Sequence, residues 1–309
     1  MIVGFTGFVG SNLCIQYHFD GQFNSKNYKK AYGTKPELLV YAGVPAQKFL
    51  ANKFPEKDYE VIENAIENIK NIRPKTLVLI STIDIYKDPS GVDENTNIDV
   101  EGLHPYGLNR LKLENWAIKN ENLFEKLLIV RLPGLYGFNL KKNFIYDLIN
   151  VIPSMLNKAK FEELTAKSKL IEKYYILQDN GFYKCWEVNK EQKDMLKIEF
   201  SKLGFTALNF TDSRASFQFY NLAYLWEHIN IALNNDIKIL NLAIPPVVAS
   251  EVYKFVLDEE FMNHLERPIP NYDFKTIHQD SFRGKNGYVM SKIKVLEDIK
   301  KYILEEQKK

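Results

Sequence analysis

The first half of the chain alternates between two hydrophobic periods. Three short runs are apolar at nearly every position: ELLVYAG (37–43), TLVLIST (76–82) and LLIVRL (127–132). Runs of that length and character read as strands buried on both faces. Between them the period lengthens. VIENAIENIKNI sets Val61, Ile62, Ala65, Ile66, Ile69 and Ile72 at helical spacing, and Pro74 ends the run. YGLNRLKLENWAIKN reads as a second helix beginning at Tyr106. At the start of the chain, residues 1–3 read as a short strand, 10–18 as a helix and 22–24 as another strand. Apolar strands that alternate with helices predict an α/β protein with a doubly wound parallel sheet covered on both faces.

The pattern loosens in the second half. KYYILQ predicts a strand and the following DNG a hairpin turn. VNKEQKDMLKIEFSKLGF reads as an amphipathic helix, NLAYLWEHINIAL as a buried one, and KILNLA as a short strand. A last helix is expected near VLEDIKKYILEEQ. Aromatic residues crowd FYKCW, and Cys185 and Trp186 there read as core.

Composition narrows the function classes. With 309 residues and 45% hydrophobic content the chain has one or two domains by the rule of about 150 residues each. The 41 basic and 39 acidic side chains are interspersed, leaving a net charge of +2 and no basic stripe for nucleic acid. The apolar runs are too short to span a membrane. The 5 histidines lack metal-ligand spacing, and Cys14 and Cys185 read as reduced thiols rather than a disulfide. A cytoplasmic protein is expected, since the glycine turn described next begins at Gly4 and leaves no room ahead of it for a leader.

That turn is MIVGFTGFVGSN. A strand leads into glycines at Gly4, Gly7 and Gly10, and Thr6, Phe8 and Val9 fill the intervals before a helix. Glycine permits a tight turn and lets a pyrophosphate approach the backbone, while the helix start offers unpaired N–H donors. The alternative is an ordinary strand–helix turn. The alternating β/α context favours a nucleotide site.

A second constellation carries chemistry. Ser81 and Thr82 end a buried strand, and ligands of parallel α/β sheets sit at strand carboxyl ends. Tyr106 and Arg110 are four apart and share a helix face. A cation there would lower the tyrosine pKa from about 10 and make it a usable acid or base.

These motifs resemble, in order, those of the extended short-chain dehydrogenase/reductases, specifically the sugar-nucleotide epimerase/dehydratase group. GFTGFVGS is similar to the family's glycine-rich turn, and STIDIY to its serine/threonine motif, with Thr82 at the active hydroxyl. PYGLNRLKLE resembles the Tyr-x-x-x-Lys helix with its downstream Glu114, except that Arg110 replaces the lysine. VYAGVPA is similar to the segment passing beneath the cofactor, which gives Ala42, Gly43 and Val44 as contacts. VRLPGLYG places Pro133 near the nicotinamide. The resemblance implies a Rossmann-type dinucleotide-binding domain (1–143 plus 212–247) and a smaller substrate domain (144–211 plus 248–309). It implies NADP or NAD as cofactor, a nucleotide sugar as substrate, and a homodimer paired through helices 58–72 and 106–120. Asn143 and Arg214 become substrate contacts.

Three departures qualify this reading. The stretch before ELLVYAG is too short for a full strand–helix–strand unit, so one strand is read as lost. The second strand ends in NSKN rather than an acid, so Asn24, Ser25 and Lys26 either hold a 2′-phosphate or simply face solvent. Asp84 is either an acid/base group two residues beyond Thr82 or a local cap. The functional expectation is oxidation, reduction or epimerisation of the sugar, with Tyr106, Thr82 and Arg110 in the reaction. The rival is a non-catalytic dinucleotide-binding sensor that keeps the fold.

Overall fold

The computed structural model describes residues 1–308. They divide into two compact units: residues 1–140, 216–247 and 270–298, and residues 141–215, 248–269 and 299–308.

The first unit is built on a six-stranded sheet. Its strands include β1 (Ile2–Val3), β2 (Gln22–Phe23), β3 (Leu38–Tyr41), β4 (Thr76–Thr82) and β5 (Lys126–Leu132), with Ile239–Asn241 as the sixth. The order across the sheet is Ile239–Asn241, β5, β4, β3, β1, β2, and every pairing is parallel. The chain reverses direction across the sheet between β1 and β3, the crevice where such sheets bind ligands. β2 lies at the edge with no strand beyond it, as the short stretch before ELLVYAG predicts.

Four helices matter for the site: α1 (Phe8–Gln16), α2 (Lys48–Lys53), α3 (Pro55–Ile72) and α4 (Pro105–Lys119). α3 forms because its apolar residues recur on one face, Pro55 starts it and acids fill its first turn. That face puts Ile62, Ala65, Ile69 and Ile72 into a core with Leu39, Leu77, Leu79, Leu113 and Ile129. Each fully buried aliphatic side chain there contributes about 1.5–3 kcal/mol. α3 ends on Arg73 in the left-handed conformation (φ +59°), just before Pro74.

The second unit carries a three-stranded antiparallel sheet of Met155–Leu156, Tyr183–Cys185 and Tyr175–Leu177. The expected hairpin is present: Gln178 and Phe182 bond across a turn in which Gly181 has φ +83°. The helix Lys190–Lys202 starts on an Asn189/Gln192 capping box and sends Leu196 and Phe200 into the local core.

The structure corrects the sequence reading in two places. Residues 270–298, expected in the smaller domain, belong to the first unit. Backbone bonds from Gly91 to Asp273 and from Lys275 to Val92 stitch them to the 89–96 segment, and no periodic pattern announces such bonds. Trp186, expected in the core, is 51% exposed. It stands just past Cys185, the last residue of the sheet's central strand, where the chain leaves the sheet.

Candidate functional site

Three parts of the first unit meet at the carboxyl ends of its strands. The first is the glycine turn between β1 and α1. Gly4 has φ +96°, and a Cβ there would lie 2.3 Å from the Ala42 carbonyl oxygen. A Cβ on Gly10 would lie 2.1 Å from the Gly4 carbonyl oxygen. The protein's own packing therefore demands both glycines. They let α1 settle on the turn and let the turn lie against the Ala42–Gly43–Val44 segment that leaves β3.

Gly7 is different. It is exposed, its backbone (φ −77°, ψ 171°) suits any residue, and an added Cβ would meet only the Gly4 oxygen, at 3.3 Å. The fold constrains this position far less than Gly4 or Gly10, since a shift of a few tenths of an ångström would relieve that one contact. Gly7 caps α1, a helix with no acid in its first turn. Helix starts carry unpaired N–H groups and partial positive charge, which favour an anion. A pyrophosphate drawn onto them would need the space that a side chain on Gly7 would fill. The residues present therefore fit a dinucleotide. Thr6 is exposed beside this point, and Phe8 and Val9 open the helix half-buried.

The second part is the turn after β2. The Asn24 side chain accepts the Lys26 amide (2.9 Å), and Asn27 accepts the Asn24 amide (2.7 Å). This Asx-type turn leaves Ser25 and Lys26 exposed at its tip.

The third part holds the candidate chemistry. β4 ends at Thr82, which pairs in register with Leu132 of β5, so Pro133 follows directly beside it. The Thr82 hydroxyl caps the short turn Ile83–Ile85 by accepting the Asp84 amide (3.2 Å). The same hydroxyl faces the Tyr106 phenol and lowers its pKa. α4 brings Tyr106 there by an unusually close approach. The third residue of the helix, in its first turn, is Gly107, where a Cβ would lie 2.1 Å from the Asp84 carbonyl oxygen. Pro105 opens the helix, the His104 ring caps it by accepting the Gly107 amide (3.0 Å), and Asn52 accepts the Tyr106 amide (2.9 Å).

The Arg110 guanidinium lies 4.2 Å over the Tyr106 ring. It is also committed elsewhere: it pairs with Asp58 of α3 and donates to the Pro45 carbonyl (2.6 Å). Both side chains of the ion pair are nearly buried, at 5% and 10% exposed. Burial raises the Tyr106 pKa above its ordinary value; Arg110 and the Thr82 hydroxyl pull it down, while Asp84 and Asp58 push it up. The net direction is upward, so the phenol holds its proton at neutral pH.

Below the strand ends, Glu114 accepts from the Arg131 guanidinium (2.8 Å) and from the Ser81 hydroxyl, and Arg131 also donates to the Tyr86 hydroxyl (2.8 Å). This buried cluster ties α4 to β4 and β5, and so fixes the helix on which Tyr106 is mounted.

Sequence reading missed two charged residues of the site. Lys48 of α2 places its ammonium 2.8 Å from the Asp84 carboxylate, and Asp58 holds Arg110. Both lie on helices whose charges look like a solvated face. The usable signal was Gly107: glycine in the first turn of a helix that otherwise favours helix formers implies a close approach.

Asn143 and Arg214 lie in the second unit. Asn143 caps the helix Phe144–Ile149 by accepting the Tyr146 amide (3.0 Å), with its own φ at +118°. Arg214 forks onto Asp212 (2.9 and 2.8 Å) and is about half exposed. Among the described residues there is no cluster of three or more His, Cys, Asp and Glu able to hold a metal, and no helix long and apolar enough to cross a membrane.

No protein-family profile matches the chain, and no curated protein sequence does. Solved structures match over nearly the whole chain. A dTDP-4-dehydrorhamnose reductase from Bacillus anthracis in complex with NADP matches at TM-score 0.63 and 16% identity, covering 98% of this chain and 96% of that one. A UDP-glucose 4-epimerase from Thermotoga maritima with UDP-glucose matches at TM-score 0.62 and 11% identity, covering 99% and 98%. A GDP-D-glycero-L-gluco-heptose synthase from Campylobacter jejuni, with NADPH present, matches at TM-score 0.60 and 13% identity, covering 100% and 97%. At these identities the likeness is one of fold.

Proposed function

We propose that this chain, which has the fold of the extended short-chain dehydrogenase/reductases that act on sugar nucleotides, is itself an NADP(H)-dependent reductase or epimerase of a nucleotide-linked sugar. The observation that carries the reading is the meeting of Thr82, Tyr106 and Arg110 at the carboxyl end of β4. A bound nicotinamide would supply the hydride donor or acceptor.

The chain's own residues would do the rest. Gly7 and the start of α1 receive the pyrophosphate, and the Ala42–Val44 segment flanks it. Tyr106 handles the proton that accompanies the hydride at a sugar carbonyl or hydroxyl oxygen, and Thr82 shares the hydrogen bond to that oxygen. Because burial keeps the phenol protonated, Tyr106 as held here is an acid, which suits reduction of a ketone. Arg110 steadies the ring and supplies positive charge if the phenol ionises. Lys26, exposed beyond β2, is the side chain available to a 2′-phosphate. NADP and NADPH accompany two of the structural neighbours.

One observation favours a second reading, a dinucleotide-binding sensor without turnover: the Arg110 cation is already paired with Asp58. Hydride exchange between NADPH and a panel of 4-keto sugar nucleotides separates the two. Turnover in the native chain that falls at least about a hundredfold in Tyr106→Phe, the lower range for a lost general acid, establishes the enzyme. Tight NADPH binding with no exchange for any sugar nucleotide establishes the sensor.

A further inference from the structure

Arginine at position 110 raises a geometric problem that lysine would not. A guanidinium is planar and forks its donors, so its direction matters as well as its charge. Two fixed acceptors set that direction here: the Asp58 carboxylate and the Pro45 carbonyl. Asp58 is itself held, since the same carboxylate oxygen accepts the Asn109 amide group (2.9 Å), one residue before Arg110 on α4. The result is a guanidinium lying across the face of the Tyr106 ring, which leaves the phenolic edge to Thr82.

We infer that Asp58 is a positioning residue of this site: by holding Arg110 over the Tyr106 ring, and by answering its charge, it sets how strongly the phenol retains its proton. The inference rests on the proposed role of Tyr106. Two consequences follow from the arrangement. The contact to Pro45 ties α4 to the segment that leaves β3. The carboxylate also offsets part of the field that Arg110 exerts on Tyr106.

The groups facing Tyr106 come from every element around it. Arg110 and the His104 ring (centroid 6.2 Å away) belong to α4 and its cap. Thr82 and Asp84 come from the end of β4 and the turn after it, and Asp58 comes from α3. Lys48 of α2 stands on Asp84. Of these charged groups only Asp58 contacts the cation that lies over the ring, so changing its charge leaves the other charges around Tyr106 in place.

The test is the titration of Tyr106 by NMR of protein carrying 13Cζ-labelled tyrosine, with Tyr106→Phe identifying the resonance. Asp58→Asn keeps a hydrogen-bond acceptor for Arg110 and removes the charge. It is expected to lower the Tyr106 midpoint by about one pH unit, the low end for a nearby charge. Asp58→Glu keeps the charge and is expected to leave the midpoint higher than in Asp58→Asn. An unchanged or raised midpoint in folded Asp58→Asn overturns the inference. If that variant does not fold, Asp58→Ser, which keeps a hydroxyl acceptor without charge, is read the same way, and an unchanged or raised midpoint in it overturns the inference. The titration needs no substrate. A shifted midpoint with no turnover on any sugar nucleotide supports the inference and sinks the enzyme reading. Turnover with an unshifted midpoint does the reverse.

Discussion

At the scale of single residues, the three glycines of the first turn divide by what opposes a side chain. Backbone oxygens lie 2.3 and 2.1 Å from where Cβ atoms on Gly4 and Gly10 would stand, whereas a Cβ on Gly7 would meet the Gly4 oxygen at 3.3 Å, a contact relieved by a shift of a few tenths of an ångström, and its backbone angles are ordinary. Gly10→Ala is therefore expected to cost about 3 kcal/mol of folding stability, the upper end for overpacking. Gly7→Ala is expected to leave stability within about 0.5 kcal/mol, the usual range at an exposed site, yet weaken NADPH binding at least about tenfold, or ~1.4 kcal/mol. Urea melts and calorimetry check both. Equal NADPH affinity in folded Gly7→Ala would remove the turn from the cofactor site. Sequence spacing alone could not make this division, because it treats the three glycines alike. The difference lies in which neighbours the fold brings to each.

At the scale of elements, the site depends on how closely α4 approaches the turn Ile83–Ile85. Gly107 permits that approach. In an isolated helix, alanine would be favoured over glycine by about 1 kcal/mol. In this protein its Cβ would lie 2.1 Å from the Asp84 oxygen and push the helix outward. Gly107→Ala is thus expected to destabilise the chain by about 1–3 kcal/mol and to cut turnover further by drawing Tyr106 away from Thr82. A thermal melt showing Gly107→Ala more stable than the native chain would disprove the close approach. The elements themselves were legible: apolar runs marked β3, β4 and β5, and helical spacing marked α3. The lost strand could be read from chain length alone. What could not be read were Asp58 and Lys48. α3 shows dense surface charge and α2 is a short helix of six residues, and only tertiary contact distinguishes a carboxylate that grips Arg110 from one that faces water. The strap 270–298 was equally hidden, since scattered backbone bonds rather than periodicity anchor it.

At the scale of the whole molecule, acid stability turns on a buried histidine far from any proposed chemistry. His228 lies in the helix Leu225–Asn234, with Nδ1 2.8 Å from the Tyr220 hydroxyl. Burial pushes its pKa down to about 4, against about 6.5 in the unfolded chain. The unfolded state therefore binds the proton more readily between those values. Stability is full above pH ~6.5 and falls as the pH drops towards 4, by about 3 kcal/mol from this group. Urea midpoints at neutral pH and at pH 4 check it: the native chain should lose about 3 kcal/mol more than His228→Gln over that interval. Equal losses would place the acid sensitivity elsewhere. The shortened sheet has a consequence of another kind. Losing an outer strand leaves β2 at the rim, and open rims recruit strands from other molecules and seed aggregates. Here the rim strand is two residues long, Gln22 and Phe23, and offers only about 7 Å of ladder. Lys26, Lys29 and Lys30 follow it at the surface, so two copies approaching rim to rim would meet like charge before they could pair.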